Sequence, residues 1–151
     1  QMVFDEGLYD PANEPDIAYA HLFSYFRGEE WRTQKETQRL LDKYFTTKPN
    51  GIPGNDDTGT MSAWAIFNMI GFYPDCPGLP EYTLTTPVFN KVTIRLDPKW
   101  YKEKELVIES NRTQPGTLYI NKVLLNGKKF NQYRITHDEL VHSQRILFDL
   151  K

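Results

Sequence analysis

Asn55, Asp56 and Asp57 stand side by side after the glycine-rich run Gly51-Ile52-Pro53-Gly54. A carboxylate in such a position can take a proton from water. A neighbouring amide can orient that water but cannot accept its proton. A second pair of hard oxygen donors, Asn13-Glu14, sits between Pro11 and Pro15. An amide oxygen beside a carboxylate suits calcium. Each group also has a plainer use. Asp, Asn and Thr ahead of a helix commonly cap it, and Asn-Asp-Asp after glycine commonly makes a turn. One Asp can cap while the other faces a cleft, so the two uses are compatible.

The elements that must position these groups are legible nearby. Pro15 suits a first helical position and Asp16 a first turn, so a helix is expected over about 16–26, ended by Gly28. Residues 1–10 read as extended or loop, with a turn at Gly7. A second helix is expected from about Glu30 to Phe45. Trp31, Leu40, Leu41, Tyr44 and Phe45 form its apolar face, while Thr33, Gln34, Lys35, Glu36 and Arg39 read as solvent-facing. A third is expected over about 59–71, where Met61, Trp64, Ala65, Phe67 and Ile70 recur at helical steps before Gly71 and Pro74. Asp56 and Asp57 then lie at its mouth, where a helix N-terminus favours negative charge. Trp64 and Phe67 are expected to narrow access to them.

After Pro74-Asp75-Cys76-Pro77-Gly78-Leu79-Pro80 the pattern turns to strands. Tyr82–Thr86, Lys91–Leu96, Glu105–Glu109, Leu118–Leu125, Lys129–Ile135 and Arg145–Leu150 read as strands, with Asn126-Gly127 as a hairpin turn. Thr136 and Glu139 have capping-box spacing. The expected class is α+β, with helices over 1–75 and an antiparallel β-sandwich over 81–151.

Bulk properties narrow the function classes. The net charge of −2 over 151 residues leaves no nucleic-acid footprint, and no apolar run is long enough to span a membrane. A single cysteine, Cys76, excludes an internal disulfide framework. His21 reads as a core histidine, and His137 and His142 lack zinc spacing. No nucleotide loop or Ser-His-Asp order is present.

The run Gly54-Asn55-Asp56-Asp57-Thr58-Gly59-Thr60-Met61-Ser62-Ala63-Trp64, followed by Gly71-Phe72-Tyr73-Pro74, resembles the signature near the C-terminal end of glycoside hydrolase family 92. The turn Asn13-Glu14-Pro15, followed later by Trp31-Arg32-Thr33-Gln34, is similar to that family's calcium-binding segment. The resemblance covers about residues 10–150 and is strongest over 12–34 and 51–74.

The resemblance implies an inverting, calcium-dependent exo-α-mannosidase that removes terminal α-mannosides from glycans, with α-1,2 as the expected linkage. It implies Asp57 as general base, supported by Asp56 and Asn55. Some relatives carry Asp where Asn55 stands. It implies Ca2+ held by Asn13 and Glu14, with main-chain oxygen from Ala12, where relatives often have Gly. The family's catalytic domain is an (α/α)6 barrel, so the helices here are expected to be its last ones and the chain a C-terminal fragment of a longer enzyme. The general acid is a Glu from an earlier part of the barrel, and nothing here, Glu6 included, matches its motif. The fragment alone is therefore expected to be inactive, with the upstream part of the same polypeptide and a mannose-containing glycan as its partners. The family's role implies a periplasmic or extracellular location. The rival reading is a non-catalytic carbohydrate-binding or structural module in which Asp56 and Asp57 only cap a helix.

Overall fold

A computed structural model describes residues 1–151. The chain begins with a single helical turn, α1 (Met2–Asp5), where an extended segment is expected. Tertiary packing sustains this turn, because Phe4 is buried and its ring lies 5.1 Å from that of Tyr9. Gly7 turns the chain at φ 71°, as expected.

The helix expected over about 16–26 is replaced by two 3-10 stretches, Glu14–Asp16 and Tyr19–Tyr25. The segment is rich in aromatic residues, which lose side-chain freedom in an α-helix. The tighter winding turns Ala20 and His21 fully inward and leaves Leu22 and Phe26 exposed. The His21 Nε2 pairs with Asn68 Oδ1 at 2.9 Å, and Asn68 Nδ2 donates to the Trp64 carbonyl at 2.8 Å. That leaves Asn68 Oδ1 as the acceptor and the Nε2–H of His21 as the donor. Burial depresses its pKa to about 4. His21 is thus the core histidine expected.

Helix α2 (Glu30–Tyr44) has the expected bounds but not the expected faces. Thr33, Gln34 and Glu36, read as solvent-facing, are all buried. The helix is covered on two sides. Leu40 and Leu41 face the helical core, whereas Gln34 Oε1 accepts the Ile120 backbone N–H at 2.9 Å from the β half. Its inward polar groups include locally satisfied ones: the Thr37 hydroxyl donates to the Thr33 carbonyl at 2.7 Å, and Arg39 Nε donates to Glu36 at 2.7 Å. Helix α3 (Thr60–Ile70) ends at Gly71, whose φ of 117° is open to glycine and whose N–H donates to the Phe67 carbonyl.

Eight strands form two sheets. Strands β1 (Phe72–Tyr73), β2 (Glu81–Leu84) and β7 (Arg134–Thr136) make an antiparallel three-stranded sheet. Strand β1 precedes the expected start of the β region. Strands β3 (Lys91–Arg95), β4 (Glu105–Arg112), β5 (Ile120–Leu125), β6 (Lys128–Phe130) and β8 (Arg145–Leu150) make a five-stranded sheet in the order β3-β4-β8-β5-β6. Its pairs are antiparallel except β4–β8, which run parallel, so the sheet is mixed rather than purely antiparallel. The physical reason lies in the segment expected as one strand over Lys129–Ile135. Only Lys128–Phe130 pairs with β5; the chain then crosses and β7 joins the small sheet. Helix α4 (His137–Val141), with the expected Thr136–Glu139 capping box, returns the chain, and β8 enters between β4 and β5. Alternation along β8 sends Ile146, Phe148 and Leu150 inward.

Side chains from both sheets, among them Leu84, Ile135, Ile108, Val123 and Phe148, share one core, as in a sandwich. A second core of Phe4, Tyr9, Ala20, Leu40, Leu41, Met61, Trp64 and Ala65 lies among the helical elements. The α+β class read from the sequence is the class observed.

Candidate active site

The Gly54–Thr60 loop enters α3 through an unusual backbone. Asp57–Gly59 form a 3-10 turn in which Thr58 adopts φ 52°, ψ 24°, and Gly59 follows at φ 82°. A β-branched residue in the left-handed region costs about 1–3 kcal/mol and persists only where its surroundings hold it. Here the hydroxyls of Thr58 and Thr60 both donate to the Asp57 carbonyl, at 2.7 and 2.6 Å. The strain sits next to Asp57 and fixes the direction in which the chain leaves it.

The two aspartates have different surroundings. Asp56 Oδ1 accepts the Ser62 N–H at 2.9 Å and Oδ2 accepts the Ser62 hydroxyl at 2.5 Å. Ser62 is the third residue of α3, so Asp56 satisfies one of the helix's open N–H groups. These bonds, that from the hydroxyl first, hold the Asp56 carboxyl below the usual range. The capping expected for this stretch therefore falls to Asp56. The side chains of Asp57 and Asn55 are exposed and bond to no other group of the chain.

Asn13 and Glu14 lie in the turn that opens the first 3-10 stretch. Asp16, expected only as a first-turn residue, is buried there. Its Oδ2 accepts the Asp10 N–H at 3.0 Å and its Oδ1 accepts Asn13 Nδ2 at 3.2 Å. Asn13 thus spends its donor on Asp16 and keeps its amide oxygen free. The Glu14 carboxylate is exposed and free as well. This donor set, two unpartnered hard oxygens on adjacent residues, fits part of a calcium shell, which takes six to eight oxygens. Nowhere do three His, Cys, Asp or Glu side chains gather in metal-binding geometry.

The fold brings the two candidate loops into contact through Ala12 and Gly54. Ala12 lies directly against Gly54, and a Cβ placed on Gly54 would fall 2.3 Å from that of Ala12. Trp64 Nε1 donates to the Ile17 carbonyl at 3.0 Å, joining α3 to the segment just after the Asn13–Asp16 turn. Trp64 is 1% exposed and stacks on Phe45 at 5.5 Å, while Phe67 packs against the sheet core. Neither ring narrows the mouth of the loop, contrary to the sequence expectation, because both point to the buried side of α3. Three supports had no sequence signal strong enough to assign their roles: the Asp16 clasp, the Trp64–Ile17 bond and the left-handed Thr58.

The catalytic-domain profile of glycosyl hydrolase family 92 matches residues 1–151. The chain is similar to an α-mannosidase of that family from Bacteroides thetaiotaomicron, solved in complex with mannoimidazole. The identity is 31%, the TM-score 0.85, and the match covers 95% of this chain and 18% of that one. It is also similar to an inverting mannosidase of the same family and organism, at 33% identity and TM-score 0.83, covering 99% of this chain and 20% of that one. An uncharacterized secreted glycosidase of Arthroderma benhamiae is 28% identical over 134 residues, 89% of this chain and 17% of that protein. The chain thus spans about a fifth of the length of these relatives.

Proposed function

This chain belongs to glycoside hydrolase family 92, and from that premise we propose that it is the C-terminal part of an inverting, calcium-dependent exo-α-mannosidase. The observation that carries the proposal is the seating of Ala12 against Gly54, which sets the Asn13-Glu14 turn beside the loop bearing Asp57. One similar structure is described as an α-mannosidase and another as an inverting mannosidase, which supports both the substrate class and the stereochemistry.

On this reading Asp57 is the general base. Its carboxylate, free of other partners, takes a proton from a water that attacks the anomeric carbon on the face opposite the leaving oxygen. Asn55 orients that water. Asp56 holds the loop on α3 through Ser62. The acid that protonates the leaving oxygen comes from elsewhere in an (α/α)6 barrel to which these helices contribute. In an inverting enzyme acid and base lie roughly 6.5–9.5 Å apart to admit the water. Asn13, Glu14 and the Ala12 carbonyl are the residues that would hold calcium, which supplies a positive centre for the sugar hydroxyls when bound. The substrates are terminal α-mannosides of glycans, with α-1,2 the first linkage to test. The enzyme acts outside the cytoplasm, in keeping with the secreted relative. Residues 1–151 alone have no turnover.

The test is Asp57→Ala in the full-length enzyme. An aryl α-mannoside assay should show kcat reduced about 10²–10⁴-fold, the usual contribution of a positioned base. Asp56→Ala should lose less. Full turnover by the Asp57 variant would refute the assignment.

A further inference from the structure

A cleft of about 280 Å³ opens between α2 and the β-sandwich, lined by Trp31, Gln34, Tyr119, Ile120, Tyr133 and Lys151. It is near the low end of small-molecule sites, which run roughly 300–1,000 Å³. Its lining contains three aromatic side chains. Trp31 and Tyr119 meet edge to face, with centroids 6.3 Å apart at 70°. The Arg32 guanidinium, 5.2 Å from the Trp31 ring centroid, helps hold the indole in place. Main-chain bonds between Tyr119 and Lys151, at 3.0 and 2.8 Å, fix the opposite wall.

Gln34 is the informative member. It is only 2% exposed, yet it lines the cleft. Its Oε1 is taken by the Ile120 N–H at 2.9 Å, which fixes the orientation of the amide. Its Nε2 donates to no group in the chain. That nitrogen is not among the buried atoms left without a partner, so it reaches solvent in the cleft and is open to an acceptor there. A rigid aromatic wall beside an inward N–H donor recognises a flat ring that is apolar on its faces and carries hydroxyls at its edge. That is the chemistry of a hexopyranose.

We propose that this cleft is a second carbohydrate-binding site, distinct from the Asp57 loop, and that it takes a single hexopyranose unit of a glycan. One ring face stacks against the aromatic wall, and a hydroxyl accepts the Gln34 Nε2–H. The choice of a mannose-containing probe rests on the mannosidase reading, whereas the cleft does not depend on it.

The experiment uses full-length enzyme and its Trp31→Ala and Tyr119→Ser variants, with yeast α-mannan as probe in affinity gel electrophoresis. Turnover of an aryl α-mannoside and Tm are measured alongside. The expected result is a mannan Kd raised tenfold or more in both variants, with turnover within twofold of the parent for Tyr119→Ser. Unchanged mannan retardation in both would overturn the proposal. So would an unfolded Trp31 variant, or a lower Tm with lost turnover, because either would place the indole in packing against the rest of the enzyme. If the parent proves inactive on every α-mannoside yet its mannan binding still depends on Trp31, the cleft stands and only the catalytic reading fails.

Discussion

The contact between Ala12 and Gly54 is open to direct perturbation. Gly54→Ala places a methyl 2.3 Å from the Ala12 Cβ, about 1 Å inside ordinary van der Waals contact. The two turns must separate by that amount or the loop must distort. The substitution also puts alanine at φ 61°, in the left-handed region, at a cost of roughly 1–2 kcal/mol. A displacement near 1 Å between catalytic groups can cost about 10²-fold in rate. Gly54→Ala in the full-length enzyme is therefore expected to lower kcat/KM about 10²-fold and to lower Tm. The two contributions separate with a second change. Ala12→Gly removes the Cβ that is struck, and the nearest remaining atom, the Ala12 Cα, lies 3.5 Å from the new methyl, an ordinary distance. The double variant should recover tenfold or more of kcat/KM while keeping the part of the Tm loss that comes from φ. An aryl-mannoside assay and calorimetry on the four proteins complete the cycle. If Gly54→Ala stays within threefold of the parent, or Ala12→Gly restores nothing, the seating of these turns does not align the site.

The calcium assignment predicts that Glu14→Ala abolishes calcium binding by titration calorimetry; an unchanged calcium isotherm would remove Glu14 from the shell. Asp56→Ala should lower Tm at neutral pH. Since its pKa is depressed in the fold by the Ser62 bonds, this stabilisation is full above the unfolded carboxylate pKa and fades as pH falls through the folded value. The Tm gap between variant and parent should therefore close in acid. His21 gives the same direction in another window. Its pKa falls from 6.5 to about 4 on burial, so the unfolded chain binds the extra proton between those values. Stability should decline as pH drops from 6.5 towards 4, and chemical-denaturation curves of His21→Gln should lack that slope.

Elements with local signals were legible in the sequence. Helix α3 between its glycines, the Asn126-Gly127 hairpin and the Thr136–Glu139 box all follow from short-range chemistry. Long-range partners were not. Gln34 and Glu36 are polar residues on a helix, and nothing local announces that a second unit covers them. Likewise Asn131, Gln132 and Tyr133 divide what reads as one strand, because β7 is claimed by β2 some fifty residues earlier. Of the candidate site, the loop residues stand out in the sequence by type and order. Asp16 was not, since its bonds to Asp10 and Asn13 form only in the folded turn.

Strand β1 is two residues long, and its side chains go to different cores. Phe72 is buried with the sheet residues, while Tyr73 packs with the helical cluster and stacks on His21 at 4.4 Å. Arg134 on β7 reinforces the seam: it pairs with Asp75 at 3.2 Å and bonds Ser24 at 3.4 Å. These contacts tie the helical and sheet halves together across the linker. Amide hydrogen exchange should show protection lost together on both sides of the Cys76–Pro80 linker, not in two stages. For protein engineers, the linker is then a poor crossover point. A chimera joined there would inherit one face of β1 without the core it was selected to fill.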